Sequence, residues 1–188
     1  RHLDLGGGLG VRYNDEPDFD LETYGEALKH KLRGSGLQLV LEPGRYLVAN
    51  GGVLLTRVEY LKPAAEGGRS FAIVDAGMND LIRPALYQAW HGIEPVNPAA
   101  EDARRDHWDI VGPVCESGDF LAHDRDLALA PGDLLAVGSA GAYGMVQSSN
   151  YNSRPRPAEV MVENGHFRLI RRRESSRELL ALEKDLHG

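Results

Sequence analysis

Short apolar runs broken by glycine and proline set the pattern of this chain. Arg1 to Leu5 alternates apolar and polar positions and enters Gly6-Gly7-Gly8-Leu9-Gly10 at once, the pattern of a strand ending in a tight loop. Asp20-Leu21-Glu22-Thr23 then opens a helix, with Asp20 as its cap, that runs through Leu28 and Leu32 and stops at Gly34-Ser35-Gly36. Leu37 to Leu41 predicts a buried strand, closed by Glu42-Pro43-Gly44. Strand, glycine loop, helix and strand in this order make one parallel crossover unit.

After Ala49 the pattern changes to repeated strand signals. Val53–Leu61, Phe71–Val74, Trp108–Val111, Leu134–Ser139 and Glu159–Val162 predict strands, separated by turns such as Glu66-Gly67-Gly68 and Pro131-Gly132-Asp133. Short strands with frequent turns predict an antiparallel barrel or sandwich. Leu81 to Trp90 is a helical or turn-like interruption. From Glu174 to Leu186 the spacing puts Leu179, Leu182 and Leu186 on one helical face, which predicts a docking helix. The boundary between the two textures lies near residues 46 to 56, and no repeat or low-complexity segment is present.

Composition narrows the partners. At roughly 150 residues per domain, 188 residues make about one domain and a remnant of another. No apolar run approaches the ~20 residues of a membrane span, and the first residues lack the charged flank and apolar stretch of a secretory segment. Lys and Arg total 21 against 28 Asp and Glu, a net charge of −7 that disfavours nucleic acid and anionic membranes as partners. One cysteine makes no internal disulfide, so a reducing cytoplasm with Cys115 as a thiol is expected. The chain opens on Arg1 inside a strand-like segment and is expected to be a piece of a longer protein.

Five segments carry candidate chemistry. Gly6-Gly7-Gly8 is either a plain turn or a loop whose N–H groups converge on a phosphate; it matches neither the dinucleotide fingerprint nor a Walker motif. Glu42-Pro43-Gly44-Arg45 ends a parallel strand, where α/β barrels gather catalytic groups, or forms a structural ion pair. Arg83 and Tyr87, after Asp75-Ala76-Gly77-Met78-Asn79-Asp80, suit a carboxylate, or are a solvated arginine and a packed tyrosine. Gly112-Pro113-Val114-Cys115-Glu116-Ser117-Gly118-Asp119 concentrates a thiol and two acids in one loop. Gly138-Ser139-Ala140-Gly141-Ala142-Tyr143-Gly144 sets one aromatic among small residues, as a backbone crossing or a site wall.

Gly6-Gly7-Gly8, Glu42-Pro43-Gly44-Arg45, Arg83-Pro84-Ala85-Leu86-Tyr87, Cys115-Glu116-Ser117-Gly118-Asp119 and Gly141-Ala142-Tyr143, in that order, resemble the C-terminal half of the diaminopimelate decarboxylases. These are pyridoxal 5'-phosphate enzymes with an alanine-racemase-like barrel and a C-terminal β domain. The resemblance covers about Leu3 to Val162, and five ordered motifs are far more specific than one. It implies an α/β barrel remnant, the last strands of a TIM-like barrel, in residues 1–50. An all-β C-terminal barrel or sandwich domain with a terminal helix follows in residues 51–188.

The resemblance also implies roles. Gly6, Gly7 and Gly8 cradle the cofactor phosphate, and Glu42 holds the proton of the pyridine nitrogen, with Gly44 and Arg45 beside it. Arg45, Arg83 and Tyr87 bind substrate carboxylate, and Tyr143 touches cofactor and substrate. Cys115 is the proton donor after decarboxylation. Glu116 pairs with the distal ammonium of meso-diaminopimelate, where ornithine decarboxylases carry aspartate; Asp119 either assists or holds the loop. The products are L-lysine and carbon dioxide, made by a homodimer with a composite active site. Lys29, Lys31, Lys62 and Lys184 do not fit as the cofactor-linking lysine: two lie on the predicted helix, Lys62 in a turn and Lys184 in the tail helix. This chain alone is therefore expected to be inactive. The seven histidines show no metal-ligand spacing and are expected to be solvated or packed. An ornithine- or arginine-type decarboxylase and a non-catalytic β module for oligomerisation are the alternatives.

Overall fold

The computed structural model describes residues 1–65, 68–100 and 102–183. Strand β1 (His2–Asp4) leads through the glycine loop to helix α1 (Leu21–Leu32) and back to β2 (Gln38–Val40), which pairs parallel to β1 with Leu3 opposite Leu39. Asp20 caps α1 as its sequence predicts, its carboxylate accepting from the Thr23 N–H at 2.9 Å. The expected burial of Leu37–Leu41 is not found: Val40 and Leu41 are each 37% exposed. With Leu21, Leu28 and Leu32 of α1, Leu37, Leu39 and Leu41 line an open apolar cleft of about 570 Å³. A helix and two strands have no further layer on which to bury this face. The short helix α2 (Gly44–Val48) follows β2 directly.

The core lies in a six-stranded mixed sheet of order β5-β8-β3-β4-β6-β7. Its strands are β3 (Leu54–Lys62), β4 (Ser70–Val74), β5 (Ile93–Pro95), β6 (Asp106–Val111), β7 (Phe120–Leu127) and β8 (Leu134–Val137), with helix α3 (Arg83–Tyr87) between β4 and β5. The edge strands β5 and β7 approach one another, so the sheet nearly closes. Val58, Val74, Leu81, Ile110, Leu121, Leu135 and Val137 fill its interior. Each fully buried aliphatic side chain of this size contributes roughly 1.5–3 kcal/mol. The all-antiparallel expectation is corrected at one pair, since β4 runs parallel to β6 while every other neighbour is antiparallel. Lys62 is also corrected: it is the last residue of β3.

Beyond the sheet, β9 (Glu159–Glu163) and β10 (His166–Arg171) form a separate hairpin. Its turn, Asn164-Gly165, has φ of 50° and 77°, the left-handed pair that a two-residue hairpin loop requires. The tail is a correction as well. Helix α4 covers only Ser176–Leu179, held by a Ser175–Glu178 capping box, and Leu182 is 95% exposed rather than docked. Glu66 and Gly67 of the predicted turn, and Lys184 and Leu186 of the predicted tail helix, lie outside the described residues. Among the described residues no helix is long and apolar enough to cross a membrane.

Candidate functional site

Two of the five motifs meet at the C-terminal ends of the parallel strands. The Gly6 carbonyl accepts from the Glu42 N–H at 2.7 Å, and the Asp4 carboxylate accepts from the Gly6 N–H at 2.7 Å. A Cβ on Gly7 would lie 2.6 Å from the Glu42 carbonyl oxygen, so only glycine lets the two segments touch. Gly6 and Gly8 sit at φ of 65° and 84°. Among the described residues the Gly7 and Gly8 N–H groups donate to nothing within the chain. N–H groups without an acceptor, on a loop without side chains, fit a phosphate. Glu42 is exposed at the rim, and Gly44 starts α2, which carries the half-buried Arg45.

The Tyr143 loop docks onto the end of the same helix. Gly141 N–H donates to the Ala49 carbonyl at 3.0 Å, Ala140 N–H to the Gly52 carbonyl at 2.9 Å, and Ser139 Oγ to Asn50 Oδ1 at 2.8 Å. A Cβ on Gly52 would lie 2.6 Å from Gly141 Cα, and one on Gly141 would strike the Val48 carbonyl. Tyr143 itself is held at φ of 62° with its side chain 42% exposed. A left-handed conformation costs a non-glycine residue about 1–2 kcal/mol, so the docking contacts determine where this ring points.

Arg83 and Tyr87, four apart on α3, lie on one helix face. Tyr87 is exposed, whereas Arg83 lies over the ring of Tyr13, 4.9 Å from its centroid, and donates from Nη1 to His91 Nε2 at 3.1 Å. Tyr13 follows the glycine loop and meets the His91 ring edge-on at 5.4 Å, which links Arg83 to the N-terminal segment. His91 is fully buried, and its Nδ1 lies 2.9 Å from the Gly138 carbonyl. A carbonyl only accepts, so Nδ1 carries the proton and Nε2 is left to accept from Arg83. Burial holds the His91 pKa below its ordinary value, and Arg83 and Arg125 push the same way against the Gly138 bond. Sequence reasoning assigned His91 no role beyond packing and passed over Tyr13; neither lies in a recognisable motif.

The cysteine loop forms a second cluster. Cys115 and Glu116 are exposed, and Glu116 Oε2 accepts from the Tyr151 hydroxyl at 3.3 Å. Glu116 raises the Tyr151 pKa, by its charge first and also through this bond. Tyr151 is a further residue that sequence reasoning missed. Asp119 has the other fate: it is 4% exposed, and its carboxylate accepts from the Met78 N–H at 2.6 Å and the Val114 N–H at 2.7 Å. It holds the loop. Among the described residues no hydrogen bond or ion pair joins Cys115 or Glu116 to Gly6–Gly8, Glu42 or Arg45.

The Asp75–Asp80 turn is structural. Asp75 accepts from Thr56 Oγ1 at 2.7 Å, and Arg154 reaches Asn79 Oδ1 at 2.8 Å, the Asp75 carbonyl at 2.6 Å and Asp80 at 3.6 Å. Burial raises the Asp80 pKa, opposed by a Gly77 backbone bond and by Arg154.

Residues 38–141 match the family model described as pyridoxal-dependent decarboxylase, C-terminal sheet domain. The chain belongs to this decarboxylase family. Residues 1–49 match the family's pyridoxal binding domain, the stretch that holds Gly6–Gly8, Glu42 and Arg45. The chain is 62% identical over 181 residues to a diaminopimelate decarboxylase of Pseudomonas aeruginosa, an alignment covering 96% of this chain and 43% of that protein. A diaminopimelate decarboxylase of Helicobacter pylori, solved in complex with L-lysine, superimposes with a TM-score of 0.90 at 43% identity, covering 97% of this chain and 44% of that one. A lysine decarboxylase of Selenomonas ruminantium superimposes at 0.69 with 25% identity, over 81% of this chain and 40% of that one. The chain thus spans less than half the length of these family members.

Proposed function

We propose that this chain is the C-terminal part of a pyridoxal-phosphate-dependent meso-diaminopimelate decarboxylase, which forms L-lysine and carbon dioxide. One observation carries the reading: the glycine loop meets the Glu42 turn just before α2 and the Tyr143 loop docks onto the other end of α2, so three segments far apart in sequence gather at this one helix. The relatives and the matched family models point the same way. In this reading residues 1–50 complete an α/β barrel and residues 51–188 form the β domain; the uncovered apolar cleft between α1 and β2 suits a fold whose next layer is the rest of that barrel.

Bound pyridoxal phosphate supplies the electron sink that lets carbon dioxide leave. Gly6, Gly7 and Gly8 bind its phosphate through backbone N–H groups, and Glu42 holds the proton on its ring nitrogen, with Gly44 and Arg45 shaping the same turn. Arg45, Arg83 and Tyr87 bind substrate carboxylate, and the Tyr143 ring bounds cofactor and substrate. Cys115 Sγ supplies the proton that replaces the departing carboxyl group. Glu116, oriented by Tyr151, pairs with the distal ammonium. The enzyme is a cytoplasmic homodimer, with the cysteine loop of one subunit completing the site of the other.

The test is substrate choice by the full-length protein. It is expected to release carbon dioxide and L-lysine from meso-diaminopimelate and to leave L-ornithine and L-arginine nearly untouched. Preferential turnover of either overturns the substrate assignment; absence of both activity and cofactor absorbance turns the reading into a non-catalytic β module.

A further inference from the structure

Arg83 lacks the partner a half-buried arginine ordinarily has. Among the described residues no acidic side chain pairs with it. Its polar contact is instead the neutral Nε2 of His91, and one face of the guanidinium is covered by Tyr13. This arrangement has a chemical consequence. A carboxylate in place of His91 would aim the guanidinium equally well, but would neutralise it and compete with an incoming anion. A neutral acceptor aims it and leaves its charge and remaining N–H donors for a ligand.

His91 is itself immobilised. Its Nδ1–H is tied to the Gly138 carbonyl, which follows β8 and opens the segment that ends at Tyr143. Arg125 of β7 lies over the Trp90 ring at 4.3 Å and donates from Nη2 to the His91 carbonyl at 3.0 Å, joining the two sheet edges at this point. The charged and titratable groups that face the ring are therefore Arg83, Arg125 and Tyr13.

We propose that His91 is a positioning residue for substrate binding: it holds the Arg83 guanidinium in the pose that grips the substrate carboxylate, and fastens that pose to Gly138 at the base of the Tyr143 loop. The proposal rests on the assignment of Arg83 as a carboxylate ligand.

Two conservative variants of the full-length enzyme separate the ring's two bonds. In His91→Asn an amide nitrogen can replace Nδ1 and keep the Gly138 bond, but nothing reaches Arg83. In His91→Gln the amide oxygen can replace Nε2 and accept from Arg83. His91→Asn is expected to raise KM for meso-diaminopimelate about tenfold, as for one hydrogen bond to a charged group, with kcat within about twofold of the parent. His91→Gln is expected to restore KM to within about threefold. In an Arg83→Ala background, His91→Asn is expected to raise KM no further. The proposal is overturned if His91→Asn leaves KM at the parental value while Arg83→Ala raises it, or if His91→Gln impairs KM as much as Arg83→Ala does. The second comparison stands even if His91→Asn does not fold. If Arg83→Ala itself leaves KM unchanged, it is the carboxylate assignment that fails.

Discussion

Two acids three residues apart in one loop do different work, and the difference is burial. Asp119 is withdrawn from solvent and spends both carboxylate oxygens on backbone N–H groups, while Glu116 stays exposed beside Cys115 with Tyr151 as its partner. Glu116→Gln in the full-length enzyme is accordingly expected to raise KM for meso-diaminopimelate by about 2 kcal/mol of lost charge-assisted bonding, with cofactor absorbance unchanged. Unchanged kinetics would remove Glu116 from the site. Cys115 lies at the surface, so Cys115→Ala is expected to slow turnover while the thermal midpoint stays within about a degree or two of the parent, as for an exposed substitution. A lowered midpoint with normal turnover would make the thiol structural. His91 adds a pH dependence. Because burial between Arg83 and Arg125 depresses its pKa below 6.5, the stability it contributes is complete above that value and is lost as pH falls through the folded pKa. Urea denaturation between pH 7 and 5 is expected to show a shallower acid-side loss in His91→Gln than in the parent; identical slopes would exclude His91 as its source.

At the scale of elements, the site depends on close backbone approaches more than on regular structure. The 75–80 turn and the 112–119 loop touch where a Cβ on Gly112 would lie 2.6 Å from Gly77 Cα and 2.7 Å from the Ala76 carbonyl oxygen, and would also strike the Asp119 carboxylate. Gly112→Ala must push these segments apart and weaken the Asp119 anchor. The expected cost is about 1–3 kcal/mol, the range of an overpacked interior. The displaced Glu116 should raise KM as well, although the substitution never touches substrate. Denaturation midpoints and KM measured on one preparation check both effects, and a variant with parental values for each would mean that the two loops part without consequence.

At the scale of the whole molecule, the glycine loop with Glu42 and the loop with Cys115 share no hydrogen bond or ion pair among the described residues. A homodimer in which each subunit lends its cysteine loop to the other's site would unite them. Mixing a full-length variant lacking the cofactor-linking lysine with a Cys115→Ala variant should then restore activity. Half of randomly exchanged dimers are mixed, each with one intact site of two, so recovery should approach about one quarter of parental activity. If heterodimers form and recover nothing, the cysteine serves its own chain.

Local chemistry was legible in the residues themselves. The Asp20 cap, the glycine stop after α1, seven of the strands and the ordered motifs all depend on neighbours a few positions apart, where side-chain spacing acts directly on the backbone. Three strands escaped for identifiable reasons. β5 has three residues and ends on a proline, β7 carries the polar run His123-Asp124-Arg125-Asp126, and β10 is exposed at every position. Asn164-Gly165 was the available signal for that last hairpin. The tail failed in the opposite sense, since a leucine stripe on a helix means burial only where a partner surface exists, and among the described residues Leu182 stays 95% exposed. The parallel β4–β6 pair, the near closure of the sheet, the fate of Asp119 and the bonds of His91 and Tyr151 were decided by tertiary structure. His91 meets a carbonyl 47 residues away and Asp119 an N–H 41 residues away. Such pairings follow from how the whole sheet closes around its core, which no window of local sequence contains.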